Sequence, residues 1–324
     1  APGQQLSLPS GMAKPWVARR PGPMPQHLAP MTAWIADRLV MRGARPDLWH
    51  HTDPSRPLGP LPDDRTIVTV HDLAPLRIPT LMADMRWTRR LAYRRYLRLV
   101  SRARLVVCGS TWTADEVTRL VGVRSERIRV FTPWVRAQPP EASADDGRIE
   151  PSTLLLVGIS GVHKRFDLGV QALAVLRQRG RDIRLEVAGF QAPAEHARLQ
   201  RLAEDLGVGA DVDLIGHVDG GDLAARYARS VTLALSTTEG FGLTPVEAIL
   251  SGGRVAAVDI PAYQNTVGSV APIAADDSPE AVADAIEVAL ASPPEPARVA
   301  ALAAHFSARA CATSLREAYE IALG

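Results

Sequence analysis

After residue 152, apolar runs and mixed segments alternate with a regularity that the first 60 residues lack. Short apolar runs at Thr153–Val157, Ile183–Ala188, Val212–Ile215, Val231–Leu235 and Arg254–Val258 read as strands buried on both faces. Between them, helical spacing of apolar positions predicts helices over Asp167–Arg179, Pro193–Leu206, Gly221–Arg229 and Pro245–Leu250. This alternation predicts an α/β fold, with a doubly wound parallel sheet covered by helices on both faces. Its ligand belongs beyond the carboxyl ends of the strands, where Gly158, Gly189, Gly216 and Ser236 to Gly242 fall.

The first half is less regular. Thr66–Val70 and Leu105–Cys108 read as strands, and Ala114–Leu120 and the arginine-rich stretch from Arg86 to Arg104 as helices. Residues 1–60, rich in Pro and Gly, yield no element. Pro133, Pro139, Pro140, Asp145, Asp146, Gly147 and Pro151 give residues 132–152 the composition of a linker. At 324 residues the chain exceeds one compact core. The expected organisation is a first domain over 1–135, a linker over 136–152, a second domain over 153–305, and an amphipathic terminal helix, Ser307–Ala322, in a segment spanning 306–324.

Composition changes this picture in two places. Residues 1–150 carry 23 Lys+Arg against 14 Asp+Glu, a net of +9, whereas residues 151–324 carry 14 against 21, a net of −7. Arg86, Arg89, Arg90, Arg94, Arg95, Arg98, Arg102 and Arg104 supply much of the positive charge, interleaved with Trp87, Leu91, Tyr93, Tyr96 and Leu97 at helical spacing. Such a helix can contact anionic lipid or a phosphorylated acceptor, or can be a solvated face packed by its Leu/Tyr stripe. No nucleic-acid motif accompanies the charge. Secondly, basic residues are almost always arginine, 35 of them, with lysine only at Lys14 and Lys164. A compact ammonium at Lys164 therefore stands out. Cys108 and Cys311 lack any pairing pattern and read as buried thiols of a reducing compartment. Neither a run of about 18 apolar residues nor a signal-peptide pattern is present. The expected location is cytoplasmic, and peripheral at the inner face of the membrane if the basic helix is a lipid contact.

Candidate chemistry concentrates in Glu239-Gly240-Phe241-Gly242-Leu243-Thr244-Pro245-Val246-Glu247-Ala248, where a strand empties into a glycine-broken turn opening a helix. Unpaired backbone N–H groups at Gly242, Leu243 and Thr244 can hold a phosphate. Glu239 and Glu247 are poor phosphate ligands but good acceptors for sugar hydroxyls. Thr244-Pro245-Val246-Glu247 also fits a capping box that would need no ligand.

The wider run, continuing through Ser251-Gly252-Gly253-Arg254 and Asp259-Ile260-Pro261-Ala262, resembles the donor-site signature of retaining GT-B glycosyltransferases of the GT4 type, with its Glu-x7-Glu motif. Val157-Gly158-Ile159-Ser160-Gly161-Val162-His163-Lys164-Arg165-Phe166 resembles the family's phosphate loop, and Lys164 falls on its lysine. Gly216-His217-Val218 resembles the turn that reads the nucleobase, and Val70-His71-Asp72-Leu73-Ala74-Pro75 the strand-end HDL motif. Val106 to Thr118 followed by Ile128-Arg129-Val130 resembles the SxxT segment, and the terminal helix the one that crosses back onto the first domain. The resemblance implies two Rossmann-like domains facing a cleft and transfer of a sugar from a nucleoside diphosphate sugar with retention of configuration. Lys164, Arg165, Gly242, Leu243 and Thr244 would bind the diphosphate. Glu239, Phe241 and Gly242 would bind the sugar, Glu247 the ribose, and His217 and Val218 the base. Glu239 and His71 would flank the reacting centre. The acceptor would be a glycan, a lipid-linked sugar or a small molecule.

No cofactor or metal is expected. Asp211-Val212-Asp213 has the Asp-x-Asp form, yet it overlaps a predicted strand and no further ligand is evident nearby. Two features depart from the family. Ile159 stands where many relatives carry a second basic phosphate contact, and no glycine-rich GGxxR-like loop precedes His71. A binding-only accessory subunit and a nucleotide-sugar hydrolase or epimerase on the same architecture are the alternatives.

Overall fold

A computed structural model describes residues 46–52, 63–83, 85–136, 152–159 and 161–324. The first 45 residues, where the glycine-rich loop was sought, and most of the expected linker, residues 137–151, lie outside the described residues. The described residues form two all-parallel sheets.

The first sheet has strands β1 (Trp49–His51), β2 (Thr66–Val70), β3 (Leu105–Cys108) and β4 (Ile128–Val130), adjacent in chain order. Every residue of β2 and β3 is buried, which explains why both appear in the sequence as unbroken β-branched or apolar runs. Two short helices, α1 (Ala74–Arg77) and α2 (Pro79–Ala83), follow β2 and lead to α3 (Trp87–Arg102). This helix buries Tyr93, Tyr96 and Val100 on one stripe, and the Tyr96 hydroxyl donates to the Thr69 carbonyl at 3.0 Å. Trp87 and Leu91 do not join that stripe. They are 75% and 51% exposed and share the outer face with the exposed Arg94, Arg95 and Arg98. The helix expected over Ala114–Leu120 begins earlier, as α4 (Thr111–Glu116), because Ser110 caps it by accepting from Thr113 N at 3.1 Å. A π-turn over Val117–Val121 then extends it to Gly122.

The second sheet contains β5 (Thr153–Val157), β6 (Arg184–Ala188), β7 (Val212–Gly216), β8 (Ser230–Ala234) and β9 (Arg254–Ala257), in the order β7-β6-β5-β8-β9. The chain moves outward from β5 to β7, returns to the other side of β5, and moves outward again. The crevice between β5 and β8 is therefore a topological switch point. Helices α5 (Phe166–Gln178), α6 (Pro193–Asp205), α7 (Gly220–Ala228), α8 (Leu243–Leu250), α9 (Pro261–Thr266) and α10 (Pro279–Ala291) connect and flank these strands. The core includes Leu154, Leu156, Leu173, Leu185, Val231, Ile249 and Ile286, all essentially inaccessible to solvent. Each such side chain contributes on the order of 1.5–3 kcal/mol on burial.

After α11 (Pro296–His305), the last helix, α12 (Ala308–Leu323), returns to the first sheet. There Ala318 and Ala322 pack on Ile67, Leu105 and Val107. Ser307 caps it, accepting from Ala310 N at 3.2 Å. His50 on β1 bridges this join, with Nδ1 2.6 Å from the Tyr319 hydroxyl and Nε2 2.7 Å from Thr69 Oγ1. Burial, with His71 as a second cause, lowers the pKa of His50 to about 4 and keeps the ring neutral. Cys108 is buried in β3, and burial pushes its thiol up to about 12. Cys311 is only half-buried, contrary to expectation. Among the described residues no helix is long and apolar enough to cross a membrane.

Candidate functional site

Two loops meet above the switch point because β5 and β8 are neighbours in the sheet. The loop after β5 turns through Val162–Lys164, and the loop after β8 carries Ser236 to Gly242. Thr237 N donates to the His163 carbonyl at 2.8 Å, which joins the two backbones. Lys164 Nζ then donates to Glu239 Oε1 at 2.6 Å, with the two side chains 25% and 20% exposed. The same oxygen accepts from Ser236 Oγ at 2.7 Å and lies 3.5 Å from the Tyr263 hydroxyl. The sequence therefore brings its isolated lysine onto the first glutamate of the Glu-x7-Glu motif, 75 positions away.

Helix α8 begins at Leu243, two residues before the expected start, with Gly242 as its N-cap at φ 87°. That left-handed conformation suits glycine, and the Tyr263 ring would crowd a Cβ there. The alternative capping box does not form, and the N-cap, Gly242, makes no side-chain cap hydrogen bond. The first-turn N–H groups carry the partial positive charge of the helix terminus. Glu247 does not reach back to the cap. It accepts from the Tyr227 hydroxyl at 3.3 Å, and burial raises its pKa, an effect the hydrogen bond opposes. Thr244 is half-buried and Leu243 exposed on this first turn. Phe241 packs edge-on against Phe306 at 5.3 Å.

Arg165, expected at the diphosphate, has an aspartate as its partner in this structure. Its guanidinium pairs with Asp277 Oδ2 at 2.7 Å and donates to the Asp277 carbonyl at 3.0 Å. Its backbone is left-handed, φ 51° and ψ 45°, which turns the chain from the loop into α5. His163 remains in the loop with Nδ1 buried and unpaired, its pKa lowered by burial first and then by Lys164. His217 and Val218 follow β7, two strands from β5 and at the same end of the sheet. Asp211 of the Asp-x-Asp segment is engaged by Arg177 at 3.1 Å.

The first half closes over the loop that carries Glu239. A Cβ on Gly240 would overlap the His71 carbonyl oxygen, so only glycine permits this approach. Ser110 Oγ and, at 2.9 Å, Thr113 Oγ1 both donate to the Gly240 carbonyl. Arg77 donates to Thr238 Oγ1, pairs with the buried Glu116 at 3.3 Å and lies 4.9 Å over the Trp112 ring. The backbone of His71 thus reaches the site, while its exposed ring donates from Nε2 to the Thr52 carbonyl at 2.9 Å. Ser236 was placed at the ligand end of its strand without a role, and Tyr227, Tyr263 and Arg77 were not singled out from sequence. Tyr263 follows directly on the quoted Pro261-Ala262 segment, whereas nothing in the sequence marks Tyr227.

Residues 144–305 match the family model described as glycosyl transferases group 1, and residues 5–138 match glycosyltransferase family 4. The GDP-mannose-dependent alpha-(1-6)-phosphatidylinositol dimannoside mannosyltransferase of Mycobacterium tuberculosis (strain ATCC 25177 / H37Ra) is 27% identical over 194 residues, covering 58% of this chain and 49% of that protein. The chain thus spans about half the length of this relative. Among solved structures, sucrose-phosphate synthase from Thermosynechococcus elongatus aligns with a TM-score of 0.68 at 20% identity, over 92% of this chain and 79% of that one. HepE from Anabaena, solved with UDP and glucose, aligns at 0.67 and 18% identity, over 91% and 82%. These likenesses give the architecture as GT-B.

Proposed function

The chain belongs to the glycosyl transferases group 1 family, and on that premise we propose that it transfers a hexose from a nucleoside diphosphate sugar to an acceptor, with retention of anomeric configuration. The observation that carries this reading is the Lys164–Glu239 pair at the switch point, beside a helix terminus that no side chain caps. A diphosphate seated on the N–H groups at Gly242, Leu243 and Thr244 would draw the Lys164 ammonium onto itself, releasing Glu239 to accept hydroxyls of the sugar. Positive charge held there stabilises the leaving diphosphate as the glycosidic bond breaks. That role needs no metal and no further cofactor. Glu247 takes the ribose hydroxyls, and His217 and Val218 face the base. The departing phosphate takes the acceptor's proton, so no protein base is required, and His71 stands on the opposite wall.

The names of the relatives, including a HepE structure solved with UDP-glucose, suggest two donors to try first, GDP-mannose and UDP-glucose. The outer face of α3, where Trp87 and Leu91 lie among Arg94, Arg95 and Arg98, suits peripheral contact with an anionic membrane, at the inner face if the protein is cytoplasmic. Calorimetric titration with UDP-, GDP- and ADP-sugars, repeated on Lys164→Ala, tests the donor site. Saturable binding of one nucleotide family, weakened in the variant, is expected. Absence of binding to all of them would overturn the reading. Binding without transfer to any acceptor would reassign the chain as an accessory subunit, and rapid sugar release without acceptor as a hydrolase.

A further inference from the structure

A second opening lies on the first half, next to the donor cleft and distinct from it. It is a groove of about 470 Å³ lined by Asp72, Pro75, Leu81, Met85, Arg86 and Arg89, among others. That volume falls in the range of sites for small organic ligands. Asp72 belongs to both spaces, because it also lines the small cavity that contains Glu239 and Gly240. The groove thus starts at the reacting end of the site and runs outward to the beginning of α3.

Its chemistry changes along its length. At the inner end Asp72 accepts one bond, from Ala74 N at 3.0 Å to Oδ1, leaving Oδ2 for a ligand hydroxyl. Pro75, Leu81 and Met85 give the middle an apolar wall. At the outer end stand two exposed guanidiniums, Arg86, the N-cap of α3, and Arg89 in its first turn, both lining the groove. No carboxylate of the described residues pairs with either. Their neighbour Arg90 is committed differently, donating Nε to the Met82 carbonyl at 2.8 Å and bonding the Ala83 carbonyl as well. Two guanidiniums that no described carboxylate pairs, at the mouth of a groove, match the several oxygens of a phosphate ester better than they match a neutral sugar.

We propose that this groove is the acceptor site and that the acceptor carries a phosphate ester, held by Arg86 and Arg89, with its accepting end at Asp72. The proposal rests on the transferase reading and adds the acceptor's class. A phosphate ester can come from a soluble sugar phosphate or from a lipid headgroup, and the chemistry of recognition is shared.

Saturation-transfer NMR, which reads weak binding, separates the possibilities on the full chain. The probes are mannose 6-phosphate against mannose, and dihexanoyl phosphatidic acid kept below its micelle threshold, so that no membrane surface contributes. All are measured with the donor cleft saturated by the tightest-binding nucleoside diphosphate. Signal from either phosphate ester, none from mannose, and a loss of at least tenfold in affinity in Arg86→Gln/Arg89→Gln would support the proposal. The Arg94→Gln/Arg98→Gln variant, with equal charge loss outside the groove, should retain the signal. Signal from only one of the two probes would identify the source. Phosphate binding that survives in Arg86→Gln/Arg89→Gln, that is displaced by the nucleotide, or that is absent for both probes would overturn the proposal. Nucleotide binding is read in the same samples and fails separately: its absence from the wild type would sink the transferase reading, whereas its presence without phosphate binding sinks only this inference.

Discussion

Replacing Glu239 by glutamine should separate binding of the nucleotide from binding of its sugar. In the free protein Lys164 lies 2.6 Å from Glu239, with about a fifth to a quarter of each side chain exposed. Exposed pairs are worth about 0–1 kcal/mol, and breaking a fully buried one costs about 3–5 kcal/mol. An intermediate pair of this kind is worth about 1–2 kcal/mol. A nucleoside diphosphate without sugar must take the ammonium from Glu239 and gains nothing from the carboxylate. Glu239→Gln removes that competitor and keeps a group that can bond Ser236. Affinity for the diphosphate alone should therefore rise about 5- to 30-fold, the equivalent of 1–2 kcal/mol. A nucleotide sugar behaves differently, because its hydroxyls replace Lys164 on the carboxylate. Losing those charge-assisted hydrogen bonds costs about 1.5–3 kcal/mol, so its affinity should stay level or fall. Calorimetry of wild type and variant with GDP, UDP, GDP-mannose and UDP-glucose gives all the terms. Equal changes for a diphosphate and its sugar conjugate would refute the exchange, since a carboxylate remote from the sugar cannot distinguish the two ligands.

His50 makes stability depend on pH. Its folded pKa, about 4, lies below the unfolded value of 6.5, so its contribution is present above pH 6.5 and is lost as pH falls toward 4. Wild type should lose about 2–3 kcal/mol more than His50→Gln between pH 7.5 and 4.5, and parallel melting curves would refute this. Arg165→Gly should leave donor affinity within about twofold and stability within about 1 kcal/mol, because relief of the left-handed backbone offsets loss of the Asp277 pair; a large loss of donor affinity by calorimetry would return Arg165 to the phosphate site. Neutralising Arg94, Arg95 and Arg98 together should weaken partition to anionic vesicles by about 3 kcal/mol, at roughly 1 kcal/mol per arginine, and unchanged sedimentation with vesicles would remove the lipid contact.

The second sheet was legible because parallel strands covered on both faces must be apolar throughout, and each of its five strands stands within one residue of its expected bounds at either end. The start of α8 was misjudged. Thr244 and Glu247 have the right spacing for a capping box, but Gly242 can adopt the left-handed turn that starts the helix earlier, and Tyr227 holds Glu247 elsewhere. The chemical weight of Lys164 was visible in composition, whereas its partner was not, because strand order rather than spacing brings the loops after β5 and β8 together. Arg165 was placed in the site to supply the basic contact that Ile159 lacks. Its partner, Asp277, lies 112 positions away, and no local pattern encodes that separation. The SxxT segment was recognised without its task, which is to let Ser110 and Thr113 hold the Gly240 carbonyl from the other half.

The pairing of His50 with Tyr319, across 269 positions, bears on how the protein is made. As the chain leaves the ribosome, the first sheet can assemble its strands, yet one face must wait until Ala318 and Ala322, in the distant helix α12, have been made. Until then Ile67, Leu105 and Val107 are exposed to whatever else is nearby, a natural target for chaperones that bind nascent apolar surface. A gene fragment ending before residue 307 would leave that face bare permanently, so the first half is expected to be insoluble when expressed alone and to be rescued by supplying α12 as a separate peptide.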